Sequence, residues 1–184
     1  MKLAYGTYAT PTIPLEEVIP LLAGMGYEGI EICVNAPRHI AAMLGDFPAE
    51  RRAALRDLLR AHHLGTPALF MLGTLFASEA AGHAATRETL KQGAQLARDL
   101  GMGDQPVLAM GFGGGKGQWP AIKDALVEQL QDYGELARAE GFMLAAEAHS
   151  MAAIHTSASI IEVLQAVGCP NVRLHFDIVH LVNA

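Results

Sequence analysis

The chain alternates short apolar runs with longer amphipathic segments, and this alternation restricts the folds open to it. Within the first long segment, apolar residues recur at spacings of three and four, as on one face of a helix: Leu15, Val18, Ile19, Leu22 and Met25. A strand–helix repeat of about 30 residues is typical of a parallel sheet covered by helices. We therefore predict six strands, at 2–5, 29–33, 66–71, 106–110, 142–147 and 172–176, and five helices, near 14–25, 48–63, 82–100, 118–140 and 157–168.

Two architectures contain such a repeat, a doubly wound open sheet and a β/α barrel. A dinucleotide-binding open sheet has a glycine-rich turn after its first strand, and residues 6–11 (Gly-Thr-Tyr-Ala-Thr-Pro) do not form one. A complete barrel has eight units in about 250 residues, whereas this chain has 184. We predict an α/β fold of the (β/α)8 TIM-barrel type with about six units present. Residues 1–184 would form a single domain that lacks the last two strands.

Composition excludes several classes of protein. The net charge is −6 and the basic residues are scattered, which argues against a nucleic-acid partner. No apolar run approaches the roughly 20 residues that a membrane-spanning helix needs. Cys33 and Cys169 belong to no CxxC pair, and no charged-then-apolar leader opens the chain. We therefore expect a reduced, cytoplasmic protein without a membrane partner.

Acidic residues and histidines follow the fifth and sixth predicted strands. The fifth strand leads into Glu147-Ala148-His149, and the sixth into Asp177-Ile178-Val179-His180. A carboxylate at the end of a buried strand is costly to desolvate unless a metal or a basic partner compensates it. In a barrel, this end of the strands is where catalytic residues collect. Glu147 and Asp177 are therefore candidate metal ligands, the alternative being ion pairs with Arg or Lys.

Residues 15–32, which end in Gly-Met-Gly-Tyr-Glu-Gly-Ile-Glu-Ile, resemble the opening helix and second strand of the xylose-isomerase-like sugar phosphate isomerase/epimerase superfamily. The endings of strands 5 and 6 are similar to the first metal-ligand segments of that family. The resemblance implies that Glu147 is a metal ligand and the proton-transfer base, and that Asp177 is a second ligand. His180 would contact substrate, or ligate metal as in the nuclease branch, and Glu31 would support the site. The family takes two further ligands, a His and a Glu, from strands 7 and 8.

The remaining histidines carry weaker expectations. His149 is expected to be a loop-facing or supporting residue and a candidate substrate contact. His175 is expected to alternate away from Asp177, to face the helix layer and to be structural. His39, His83 and His155 have no recognisable group of partners in the sequence.

A glycine-rich run, 111–117, follows the fourth strand. It lacks the residues required by both the Walker and the dinucleotide patterns, so we expect a flexible loop on the active face instead of a phosphate site. Lys116 is a candidate contact for an anionic substrate. Trp119, with Phe112, would give a sugar an apolar face, or else anchor the start of a helix.

The resemblance implies an enzyme that isomerises or epimerises a small sugar, sugar phosphate or keto acid. Proton abstraction beside a carbonyl gives an enediolate, whose charge a divalent cation stabilises. Carboxylate and imidazole ligands suit manganese, magnesium, cobalt or zinc. An inosose-type dehydratase is a close variant, and an abasic-site endonuclease is disfavoured because strands 3 and 4 do not end in histidine.

The alternative is a non-catalytic or inactive barrel fragment that acts only by binding or by association. Open sheet edges favour association, including with further copies of the chain. The sequence ends at the start of a helix, which favours a fragment of a longer enzyme. No residue is identified as the second acid or base.

Overall fold

The structure is a computed structural model in which residues 2–184 are described. Strands and helices alternate along this part of the chain, with single 3-10 turns at Thr7–Ala9 and Leu44–Asp46. The strands are β1 (Ala4–Gly6), β2 (Gly29–Val34), β3 (Leu69–Thr74), β4 (Val107–Gly111), β5 (Met143–Glu147) and β6 (Val172–His175). The helices are α1 (Leu15–Gly24), α2 (Ala49–Ala61), α3 (Ala80–Asp99), α4 (Trp119–Glu140), α5 (Ser157–Val167) and α6 (Ile178–Val182).

The six strands form one sheet in the order β1-β2-β3-β4-β5-β6. Pairing is parallel between β1 and β2, between β2 and β3, and between β5 and β6. Each new strand is added on the same side of the previous one, whereas a doubly wound sheet reverses direction at a switch point. The predicted α/β fold, a partial TIM barrel of six units, is confirmed. The five predicted helices are present, and the short α6 is an addition to them.

The first of two compact units comprises the described residues up to Leu72 together with Gln92–Leu108. In this unit Leu15, Val18, Ile19 and Leu22 of α1 are buried, as the helical spacing predicts. Met25, the fifth member of that predicted face, is 64% exposed because it lies beyond the last residue of α1. The apolar face therefore ends with the helix.

Two glycines explain the Gly-x-x-Gly turn between α1 and β2. Gly26 has a φ of 85°, in the left-handed region that a residue with a side chain rarely adopts. Gly29 packs against other backbone, since a Cβ atom there would lie 3.0 Å from the carbonyl oxygen of Gly65. Gly26 therefore allows the turn, and Gly29 allows the close packing of the strand.

The second compact unit comprises Gly73–Lys91 and Ala109–Ala184. Its core is fully buried and includes Phe112, Leu126, Leu130, Tyr133, Phe142 and Leu144. The Tyr133 hydroxyl donates to the Leu75 carbonyl oxygen at 3.1 Å. His83 has partners, contrary to the sequence-based expectation: its Nε2 lies 2.9 Å from Asp132 Oδ2. Among residues 2–184, no helix has both the length and the apolar character required to cross a bilayer.

Candidate functional site

The site lies in the second unit, where β5 and β6 end. These strands are parallel neighbours, and their register places Glu147 directly beside His175. Adjacent residues at matching positions of neighbouring strands project to the same face of a sheet. Two residues beyond His175, the chain turns into α6 at Asp177. The ends of both strands therefore bring acidic and imidazole side chains to one place.

Asp177 is the N-cap of α6. Its Oδ1 accepts a hydrogen bond of 2.7 Å from the backbone N–H of Val179, which satisfies one of the free donors at the helix start. His180 follows three residues later, and its Nε2 lies 3.7 Å from Asp177 Oδ2. Residues three apart face the same side of a helical turn. The Asp-x-x-His spacing is thus the local geometry of one capped turn.

Glu147, Asp177 and His180 form a possible cation site. One ligand atom from each side chain can be chosen such that all three lie within 4.8 Å of one another. All three residues are partly buried, and Glu147 is the most enclosed, with 13% of its side chain exposed. Two carboxylates and an imidazole are donors that suit divalent first-row metals. The residues present therefore fit a divalent cation, and the donor set alone does not select one metal.

His149, predicted as a candidate substrate contact, lies beside this cluster. Its ring centroid is 3.8 Å from that of His180, at an interplanar angle of 46°. Its Nδ1 accepts a hydrogen bond from the backbone N–H of Met151 at 3.1 Å. Burial, and then the charge of His180, lower the pKa of His149, while Asp177 acts in the opposite direction. His149 is therefore neutral at neutral pH, with its proton assigned to Nε2 by the bond that Nδ1 accepts.

His175 corrects a sequence-based expectation. It was expected to face the helix layer, but its Nδ1 lies 3.6 Å from Glu147 Oε1. The physical reason is the parallel register: His175 and Glu147 are direct partners at the ends of β6 and β5, and such partners share a face of the sheet. A period of two counted in the sequence from His175 to Asp177 would also have predicted a shared face.

Lys116 and Trp119 have hydrogen-bond partners outside the Glu147, Asp177 and His180 cluster. Lys116 is exposed, and its backbone N–H donates to the Met151 carbonyl oxygen at 3.1 Å. The Trp119 indole N–H donates to Glu162 Oε2 at 2.9 Å, which ties the first residue of α4 to α5. This is the helix-start anchor that was the alternative prediction for Trp119. A substrate role for either residue stays a prediction.

Phe112, at the start of the glycine-rich loop, differs from expectation. Phe112 is fully buried, so it offers no surface to a sugar, and its backbone N–H donates to the Glu147 carbonyl oxygen at 2.9 Å. The loop after β4 forms hydrogen bonds to neighbouring residues, and its expected flexibility stays a prediction. The Gly113 carbonyl oxygen accepts from the Ala153 N–H at 3.3 Å, and the Gly115 N–H donates to Gln118 Oε1 at 2.7 Å. The middle of the loop therefore has defined hydrogen-bond partners.

Glu31, predicted to support the site, belongs to the first unit. It lies in the middle of β2, where burial raises the pKa of its carboxyl group. A Cβ atom at Gly6 would lie 3.5 Å from Glu31 Oε2. The side chain is thus enclosed near the end of β1, and its supporting role stays a prediction.

The chain is similar to known proteins in sequence and in structure. A family model described as xylose isomerase-like TIM barrel matches residues 19–184. The structure is similar to that of the probable 3-DHS dehydratase AsbF, involved in petrobactin synthesis, from Bacillus anthracis, with a TM-score of 0.81 and 22% identity. That match covers 99% of this chain and 65% of the dehydratase. No curated protein matches the sequence.

Two further solved structures share the fold. The IOLI protein, with a binding zinc atom, has a TM-score of 0.79 and 22% identity over 98% of this chain and 64% of its own. An L-ribulose 3-epimerase has a TM-score of 0.74 and 21% identity over 98% of this chain and 62% of its own. The chain thus spans about two thirds or less of the length of these relatives, and these similarities establish the fold.

Proposed function

This chain belongs to the xylose isomerase-like TIM barrel family, and we propose that it carries the metal-binding and proton-transfer part of a sugar isomerase or epimerase site. The observation that carries the proposal is the convergence of Glu147, Asp177 and His180 within 4.8 Å. The substrate would be a small sugar, sugar phosphate or keto acid with a hydrogen on the carbon beside its carbonyl group. Solved structures with the same fold include epimerases and a dehydratase, which supports this class of chemistry.

The cluster would hold a divalent cation through Glu147, Asp177 and His180. When bound, such a cation stabilises negative charge that develops on substrate oxygens. Manganese, magnesium, cobalt and zinc all accept this donor set. The Val179 N–H already orients Asp177 through Oδ1, and Oδ2 faces His180. This carboxylate is therefore held in place before any ligand arrives.

Glu147 is the proposed proton-transfer residue. Its carboxylate would take the proton from the carbon beside the carbonyl, and the electron pair would move onto the carbonyl oxygen. If the proton returns to the former carbonyl carbon, while the hydroxyl proton on the first carbon moves to the other oxygen, an isomerisation is complete. If the proton returns to the opposite face of the first carbon, and the electron pair on oxygen re-forms the carbonyl group, an epimerisation is complete. The low exposure of Glu147 favours this role because few waters compete for its oxygens.

The neighbouring imidazole of His149 would bind a substrate oxygen. His149 is neutral at neutral pH and carries its proton on Nε2, so it can donate one hydrogen bond to a hydroxyl or carbonyl group. Its ring packs beside His180, which keeps both rings in the site. The second acid or base that epimerisation requires is not assigned to a residue.

The metal part of the proposal is tested by calorimetry with Mn²⁺. We compare the wild-type chain with Glu147→Ala/Asp177→Ala and with the control Asp124→Ala/Glu135→Ala. The control removes two exposed carboxylates of α4 and changes the net charge equally. We expect binding by the wild-type and control chains, and its loss from the Glu147/Asp177 variant. Equal binding by all three chains would exclude the cluster as the metal site.

The reaction class is tested by hydrogen exchange in D₂O. The Mn²⁺-loaded chain is incubated with small ketoses and keto acids, and NMR follows deuterium beside the carbonyl. We expect incorporation with the wild-type chain and none above background with Glu147→Gln, while Glu135→Gln behaves as wild type. Loss of water from the substrate would favour the dehydratase variant. Absence of exchange with every substrate would favour a non-catalytic binding module.

A further inference from the structure

We propose that His175 is a positioning residue for Glu147, holding its carboxylate in the orientation that metal binding and proton transfer require. The two residues are direct partners in the parallel register of β5 and β6. Each lies at the last position of its strand, so the backbone of the sheet fixes the separation of their Cα atoms. His175 therefore acts from a rigid element.

The contact joins His175 Nδ1 and Glu147 Oε1 at 3.6 Å. The Nδ1 atom is shielded from solvent, although 28% of the His175 side chain is exposed. A distance of 3.6 Å is longer than a hydrogen bond, and such contacts in ligand-free sites often shorten when the site is loaded. A small rotation of either side chain would let Nδ1–H donate to Oε1. The shielded position protects that interaction from competition by water.

The two carboxylates of the cluster would then each have a dedicated donor. Asp177 has the backbone N–H of Val179, at 2.7 Å from Oδ1. Glu147 has a longer side chain with more rotatable bonds, so fixing its carboxylate costs more conformational entropy than fixing that of Asp177. His175 would lower that cost by holding one oxygen of Glu147.

One consequence concerns the tautomer of His175. A positioning role requires a proton on Nδ1, which is the atom that faces Glu147. This requirement applies to the metal-free chain and does not depend on the proposed function. The predicted effect on metal affinity does rest on the proposed function, because it assumes that Glu147 is a ligand.

The metal-free test is ¹⁵N NMR of the histidine side chains in the wild-type chain and in Glu147→Gln. We expect the signal of His175 Nδ1 to be that of a protonated nitrogen and to move in the Glu147 variant. The signal of His155, whose Nδ1 lies 3.2 Å from the Ala153 carbonyl oxygen, should not move and serves as the control. An unprotonated Nδ1 on His175, or a signal unaffected by Glu147→Gln, would overturn the inference.

The second test measures Mn²⁺ affinity in His175→Ala and His175→Asn. Loss of an outer-shell partner weakens metal binding by about 10–100-fold, and we expect a change of this size for His175→Ala. His175→Asn places an amide N–H near the former Nδ1 and should recover most of the affinity. His155→Ala should bind as the wild-type chain does. Melting temperatures of all variants without metal separate a folding defect from a positioning effect.

The outcomes of the two tests are separable. Tight Mn²⁺ binding that depends on Glu147 but not on His175 would overturn the positioning role and leave the proposed function intact. Equal losses in His175→Ala and His175→Asn that follow a fall in melting temperature would show a merely structural residue. If the wild-type chain binds no Mn²⁺, the proposed function fails, and the NMR result still decides whether His175 holds Glu147.

Discussion

Burial controls the charge of Glu31, the third residue of β2. The pKa of its carboxyl group is raised by desolvation, so the native state holds its proton to a higher pH than the unfolded chain does. Stability from this group is therefore complete below the unfolded pKa and falls as pH rises through the folded pKa. The ionised form of Glu31 is thus a cost to the native state at neutral pH.

From this we predict that Glu31→Gln raises the melting temperature at pH 7 relative to the wild-type chain. The difference should shrink as pH falls through the folded pKa and vanish below about pH 4, where both forms are neutral. Circular dichroism melts from pH 3.5 to pH 7 would measure it. Glu17→Gln, on the exposed surface of α1, is the matched control. A pH profile for Glu31→Gln parallel to that of the wild type would contradict the prediction.

At the scale of single residues, the positions of the acidic residues were easier to predict from the sequence than those of the histidines. Glu147 and Asp177 could be selected because charged groups at the ends of apolar strands need compensation. His175 was misplaced because its relation to Asp177 was judged by alternation of neighbours, whereas residues two apart share a face. His83 in α3 contacts Asp132 in α4, which follows it by 49 residues in the sequence. No local sequence pattern predicts such a pair.

Helix α4 has a glycine where it packs most tightly. A Cβ atom at Gly134 would clash with Cys169 Sγ and lie 3.1 Å from Val172 Cγ2, so an alanine there must displace its neighbours. We predict that Gly134→Ala destabilises the chain by about 1–3 kcal/mol, the usual cost of overpacking. Urea unfolding would measure this. Gly24→Ala in α1 is the control, since nothing lies within 4 Å of its Cβ position.

The control Gly24→Ala is expected to change the stability of the chain in the opposite direction. Gly24 is the last residue of α1 and has a negative φ, so alanine should stabilise the chain by up to about 1 kcal/mol through helix propensity. If Gly134→Ala lowers the stability and Gly24→Ala raises it, the loss at Gly134 is caused by packing. If both variants were destabilised equally, the close contact of Gly134 with Cys169 would not be the cause.

Helix α5 begins with a reciprocal capping arrangement. The Thr156 hydroxyl accepts from the Ser159 N–H at 3.2 Å, and the Thr156 N–H donates to Ser159 Oγ at 3.1 Å. We predict that Thr156→Ala costs about 1 kcal/mol, while Thr156→Ser costs much less because it retains the acceptor. Chemical unfolding of the two variants would measure the difference. Equal stability of Thr156→Ala and the wild-type chain would show that the cap contributes nothing.

At the scale of elements, the predicted helices agree with the structure to within a few residues because prolines and glycines mark their ends. Strand β3 was displaced: 66–71 was predicted, and the strand runs over Leu69–Thr74. Pro67 has no N–H with which to extend the ladder, so regular pairing starts later, with Leu69 beside Ile32. The start of a helix was expected at the end of the sequence, and α6 (Ile178–Val182) is that helix, capped by Asp177.

For the whole molecule, strand order could be predicted because consecutive strand–helix units add neighbours in sequence. The sheet order β1 to β6 agrees with this rule. The site could be predicted only in part. The proposed ligand residues follow from strand ends, but the separation of their side chains also depends on the register of β5 and β6. That register is not encoded in a local pattern.

A ligand that binds the native chain must also stabilise it. We predict that Mn²⁺ raises the melting temperature of the wild-type chain, by the equivalent of about 2.7 kcal/mol when its concentration is 100 times the dissociation constant. Asp177→Asn should abolish most of the increase, and Asp124→Asn should not. Differential scanning calorimetry with and without the metal measures this. An equal increase in both variants would place the bound metal elsewhere on the chain.

The most direct test of a metal site formed by Glu147, Asp177 and His180 is a crystal structure of the chain grown with Mn²⁺, with anomalous scattering recorded at the manganese edge. The expected result is an anomalous peak in contact with oxygens of Glu147 and Asp177 and with a nitrogen of His180. A well-ordered crystal in which these three side chains are visible and no anomalous peak lies among them would contradict the proposed site.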